Sequence, residues 1–134
     1  MSDILVDTSV WLDFFKAKDS PYSKMLDRLL EEGRVCTTHL VKAEIVPGAK
    51  TLKQFHRLKD YFDALPLANE PETLWLEIME TQFQLKRRGI NGVSIPDLII
   101  VVVAEANGKI IFTKDQDFKH VKRVFPIRLL ELPG

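Results

Sequence analysis

Four carboxylates stand where an acid could do chemistry. Asp7 follows the apolar run Ile4-Leu5-Val6, Glu44 lies in Val41-Lys42-Ala43-Glu44-Ile45, Asp97 precedes the apolar block 98–104, and Asp115 comes shortly after Ile110-Ile111-Phe112. Hydroxyls accompany two of them, Thr8 and Ser9 behind Asp7 and Thr113 ahead of Asp115. Short apolar runs suit the centre of a parallel sheet, whose ligands gather outside the carboxyl ends of its strands. Because those strands end on one edge, acids far apart in sequence can converge there. Convergence is costly: two unit charges about 4 Å apart repel by roughly 4 kcal/mol at an effective dielectric near 20. Hard divalent cations relieve that repulsion, and magnesium or manganese takes oxygen ligands while keeping room for water and phosphate oxygens. The chemistry implied is phosphodiester hydrolysis.

Each acid also has a purely structural alternative. Asp7, Thr8 or Ser9 can cap a helix beginning near residue 10, and Ser94-Ile95-Pro96-Asp97 has the form of a capping box. Asp115 can cap a short helix over 115–121, and Glu44 can be an ordinary solvated helix residue.

The elements that must position these acids follow from pattern and punctuation. Strands are expected at 4–7, 35–37, 64–67 and 110–112, with a last edge strand at 127–129. Between them, helices are expected near 10–16, from Pro21 to the stop at Gly33, from the cap Thr38 through Ile45, and over 52–62. Pro47-Gly48 ends or kinks the third of these. Asn69-Glu70-Pro71-Glu72 reads as a capping box opening a long helix to Arg88, with Leu74, Trp75, Ile78, Met79, Phe83 and Leu85 as its apolar stripe and Gly89 as its stop. The block after Ser94 reads as a helix to Ala106, although its β-branched residues 99–103 also suit a buried strand. Alternating strands and helices predict an α/β domain built on a parallel sheet of four to five strands.

The remaining composition narrows the field. A chain of 134 residues that is 46% hydrophobic and 28% charged fits one globular domain. Its longest apolar run is far shorter than the roughly 20 residues that span a bilayer, and no basic, apolar leader opens it, so a cytoplasmic protein without a membrane partner is expected. The lone cysteine, Cys36, excludes an internal disulfide and reads as a core thiol. Nineteen basic and nineteen acidic residues cancel, which argues against nucleic-acid binding through overall charge. Local basic clusters remain at Lys86-Arg87-Arg88 and at Lys119, Lys122 and Arg123. His39, His56 and His120 lack the paired spacing of zinc sites and are expected at the surface. Lys114 is either a phosphate contact or a solvated turn residue, and Asp13 is expected to face away from Asp7.

The four acid-bearing segments, taken together and in order, resemble PIN-domain ribonucleases, specifically the VapC toxins of bacterial and archaeal toxin-antitoxin pairs. Leu5-Val6-Asp7-Thr8-Ser9-Val10-Trp11-Leu12 is similar to that family's opening motif. Val41-Lys42-Ala43-Glu44-Ile45, Asp97-Leu98-Ile99-Ile100 and Thr113-Lys114-Asp115-Gln116-Asp117-Phe118 are similar to the three that follow. The resemblance implies a single PIN-like, three-layer domain over 1–134. It implies that Asp7, Glu44, Asp97 and Asp115 hold one or two magnesium or manganese ions, with Asp117 as a fifth acid acting through water. Thr8, Ser9 and Thr113 would orient carboxylates, water or phosphate. The implied activity is endonucleolytic RNA cleavage by metal-activated water, leaving a 5′-phosphate and a 3′-hydroxyl. Implied partners are a cognate antitoxin that holds the toxin inactive and a second copy in a homodimer, within a larger toxin-antitoxin complex. The apolar faces around 11–15 and along 52–62 are candidate surfaces for these partners. Two alternatives stay open: an inert PIN-like module that binds RNA or protein, and a phosphatase using Asp7 as nucleophile. The second lacks the familiar acid two positions on, where Ser9 stands.

Overall fold

A computed structural model describes residues 1–16 and 19–133. Its centre is a parallel sheet of three strands, β1 (Ile4–Val6), β2 (Val35–Cys36) and β3 (Ile110–Phe112), in the order β2-β1-β3. Leu5 of β1 lies level with Cys36 on one side and Ile111 on the other. Ile4, Leu5 and Val6 are fully buried, as a strand covered on both faces must be. Helices α1 (Thr8–Phe15), α2 (Pro21–Glu31), α3 (His39–Ile45), α4 (Leu52–Asp63), α5 (Leu74–Arg87), α6 (Ile95–Ala106) and α7 (Asp117–Val121) surround it. The α/β architecture is therefore the expected one.

The two outermost expected strands are reduced to single bridges, Thr37 with Leu67 and Ile111 with Leu129, both parallel. Prolines explain the reduction. Pro66 accepts from the Thr37 N–H at 2.9 Å but has no N–H of its own to extend the ladder, and Pro126 stands just ahead of the other bridge. The bridges still flank β2 and β3, one residue apart in level, so each edge is widened at a single position.

Helix α6 settles the ambiguity of the β-branched block. Leu98 and residues 100–104 are all buried, so this is a helix apolar all round because it runs through the core. Ser94 caps it, accepting from the Asp97 N–H at 3.3 Å. Gly108, at φ +64°, turns the chain out of α6 and directly into β3, in a conformation that favours glycine.

The long helix α5 starts later than expected, at Leu74, and Asn69 does not cap it. Pro71 disfavours helical backbone at Glu70, and the Glu70 carboxylate instead meets His39 Nδ1 at 3.0 Å. Its apolar stripe also divides. Leu74, Ile78 and Leu85 are buried against the core, whereas Trp75, Met79 and Phe83 are more than half exposed. Among the described residues, no helix is long and apolar enough to cross a membrane.

Candidate metal centre

Asp7 leaves the end of β1 as the N-cap of α1 and is only 7% exposed. Three donors converge on its Oδ2: the Ser9 hydroxyl at 2.8 Å, the Thr113 hydroxyl at 2.8 Å and, more weakly, the Ser9 N–H at 3.4 Å. Capping and site-building are thus one arrangement, since the cap geometry aims the carboxylate across the sheet edge toward the end of β3. The Thr113 hydroxyl also accepts from the Asp115 N–H at 3.0 Å, and Asp115 Oδ1 accepts from the Asp117 N–H at 2.9 Å. Each bond hands the next residue its orientation, so the turn after β3 is registered against Asp7.

Glu44 arrives from another layer. Thr38 caps α3 by accepting from the Val41 N–H at 3.1 Å, and buried Val41 and Ile45 hold the helix down, which leaves Glu44 on the outer face. There its Oε1 accepts from the Thr8 hydroxyl at 2.7 Å, tying the second acid segment to the first. Asp97 lies in the first turn of α6, behind the Ser94 cap.

Asp97, Asp115 and Asp117 each offer a carboxylate oxygen within 4.8 Å of the other two. The Asp97 carboxyl is pushed up to about 6, chiefly by burial, with the Asp115 and Asp7 charges adding to it and hydrogen bonding to Ser94 opposing it. Asp7 therefore acts on the same electrostatic neighbourhood as the trio. These donors are oxygen atoms alone, of half-buried carboxylates carrying like charge, and they fit a hard divalent cation.

Of the residues singled out from sequence, Asp97, Asp115 and Asp117 form one cluster, Asp7, Ser9 and Thr113 a bonded group coupled to it, and Thr8 and Glu44 a separate bonded pair. The histidines stand outside this set: His39 pairs with Glu70, and His56 and His120 are exposed. Sequence reasoning missed the pairing of buried Asp13 with Lys114, whose Nζ lies 2.7 Å from Asp13 Oδ2. One signal for it was present. Asp13 lies four residues after Ser9, on the same face of α1.

Fold and side chains together define a class: an α/β domain whose strand ends and neighbouring helices deliver an acidic cluster bound up with hydroxyls. The chain belongs to the PIN domain family, whose model matches residues 4–124. It is 33% identical over 113 residues to Ribonuclease VapC21 of Mycobacterium tuberculosis, covering 81% of this chain and 82% of that protein. Ribonuclease VapC11 of the same species is 29% identical over 124 residues, covering 90% and 92%. Among solved structures, that of VapBC-1 from nontypeable Haemophilus influenzae superposes with a TM-score of 0.75 at 16% identity, covering 96% of this chain and 97% of that one, a likeness of fold.

Proposed function

We propose that this protein is the ribonuclease toxin of a toxin-antitoxin pair, hydrolysing RNA phosphodiester bonds with a magnesium or manganese ion held by Asp97, Asp115, Asp117 and Asp7, with Glu44 completing the acidic set. The observation that carries the reading is the approach of three carboxylate oxygens to within 4.8 Å of one another. Such an ion, when bound, supplies a water ionised near neutral pH and positive charge at the phosphate. The chain's own residues set the stage for it. Ser9 and Thr113 donate to Asp7 Oδ2 and orient a carboxylate that would hold the ion, and the Thr8 hydroxyl donates to Glu44 Oε1. The amino end of α6 places the positive end of the helix dipole beside Asp97, which favours the approach of an anionic phosphate.

The antitoxin is read as an apolar segment docking in a groove of about 610 Å³ lined by Leu12, Phe15, Ile45, Leu58 and Tyr61. That groove joins the two apolar faces singled out in the sequence, although Trp11 itself is fully buried. The outward stripe of α5, Trp75, Met79 and Phe83, suits a second copy of the chain. The site of action is the cytoplasm.

Purified protein incubated with total cellular RNA tests the reading. Cleavage with Mg²⁺ or Mn²⁺, abolished by chelator and by Asp115→Asn, with 5′-phosphate and 3′-hydroxyl ends, supports it. Cleavage that survives chelation overturns the metal mechanism, and RNA binding without cleavage of any RNA class identifies an inert module instead.

A further inference from the structure

We propose that Asp13 and Lys114 are a positioning pair that holds the turn after β3 against α1, so that the carboxylates of the acidic centre keep the geometry a cation needs. The inference rests on the metal-centre reading above and assigns two residues that have no place in it.

A carboxylate in the packed face of α1 is costly unless it is paired. Asp13, only 4% exposed, sits on the same helix as fully buried Val10 and Trp11. Its Oδ2 receives the Lys114 ammonium at 2.7 Å and the Ser20 hydroxyl at 3.2 Å. The same ammonium lies 5.5 Å from the centre of the Tyr22 ring, a cation–π contact. The Lys114 charge is thus met by Asp13 and by the Tyr22 ring.

The backbone of Lys114 makes the second grip. Its N–H donates at 3.1 Å to the Ser9 hydroxyl, which itself donates to Asp7 at 2.8 Å. Ser9 and Asp13 are one helical turn apart, so a single face of α1 holds Lys114 by both its backbone and its side chain. On either side of it stand Thr113, which donates to Asp7, and Asp115, which belongs to the carboxylate trio. Loss of the pair lets the turn move exactly where two acid segments meet. Loss of Asp13 alone has a further consequence, because it releases the ammonium of the residue that precedes Asp115 to compete with a divalent cation for the carboxylates.

The test is Mn²⁺ affinity of the full chain, read by electron paramagnetic resonance, with circular dichroism to confirm folding. The wild type, Lys114→Gln, Lys114→Arg, Asp13→Asn and the double variant D13N/K114Q are compared. The expected result is a loss of about 10- to 100-fold in Mn²⁺ affinity for Lys114→Gln, affinity restored to within about threefold of wild type by Lys114→Arg, and a larger loss for Asp13→Asn than for the double variant. A folded Lys114→Gln protein that binds Mn²⁺ like the wild type overturns the proposal, and a raised KM for RNA with unchanged Mn²⁺ affinity replaces it by a substrate contact. Should Asp13→Asn fail to fold, the two Lys114 variants decide. A wild type that binds no Mn²⁺ overturns the metal-centre reading itself, and this inference with it.

Discussion

Asp7 and Asp97 are coupled electrostatically, yet their carboxylates are held by opposite means. Asp7 is the more buried, and donors from Ser9 and Thr113 gather on one of its oxygens, so its charge is met inside the protein. Asp97 is pushed up to about 6 chiefly by burial, with the Asp115 and Asp7 charges adding to it and only Ser94 opposing. The hydroxyl-bonded side fixes geometry, and the crowded side stores the repulsion that a cation relieves. Burial alone does not separate the two acids, since both are withdrawn from solvent. The decisive difference is whether the charge is compensated by the fold or left to a ligand.

That comparison can be broken at several points. The largest effect is expected from Asp7→Asn and Asp115→Asn, which remove ligand charge from each side; RNA cleavage should fall by more than the about 100-fold typical of supporting residues. Ser9→Ala and Thr113→Val should cost about 10- to 100-fold in metal affinity, with a loss of about 1 kcal/mol of stability per bond removed, measured by metal titration and denaturant unfolding. At limiting Mg²⁺, cleavage should rise as pH passes through about 6, where Asp97 ionises. Higher Mg²⁺ should move that rise to lower pH, since ion and proton compete for the same oxygens.

The smallest effect has the opposite sign. Because the Asp97 carboxyl is raised from 3.8 to about 6, the native state binds the proton more tightly than the unfolded chain. Metal-free protein therefore loses stability as pH rises through that window and does not regain it above. Discounted for partial exposure, the charge costs on the order of 1–2 kcal/mol at pH 8. Metal-free Asp97→Asn should melt a few degrees above wild type there.

Much of this arrangement was legible locally. The run into Asp7, the Ser94 capping box and the glycine stops are short patterns in which each residue's role is set by its neighbours. What escaped the sequence depends on partners far along the chain. The segments 64–67 and 127–129 look like strands by composition, but Pro66 and the neighbouring Pro126 limit each to a bridge. The apolar residues of α5 lie on more than one face, so the single stripe expected from periodicity divides, and Trp75, Met79 and Phe83 face outward. Asp13 and Lys114 are about 100 residues apart, and only the fold shows that each answers the other's charge.

The most direct test of the contrast between compensated and uncompensated acids is thermal unfolding of wild type and Asp97→Asn at pH 8 during titration with Mn²⁺. The account predicts that the wild type starts lower, rises with ion concentration as a native-state ligand requires, and overtakes a variant whose melting temperature barely moves. A wild type indifferent to the ion, or an Asp97→Asn protein that responds as strongly, contradicts it.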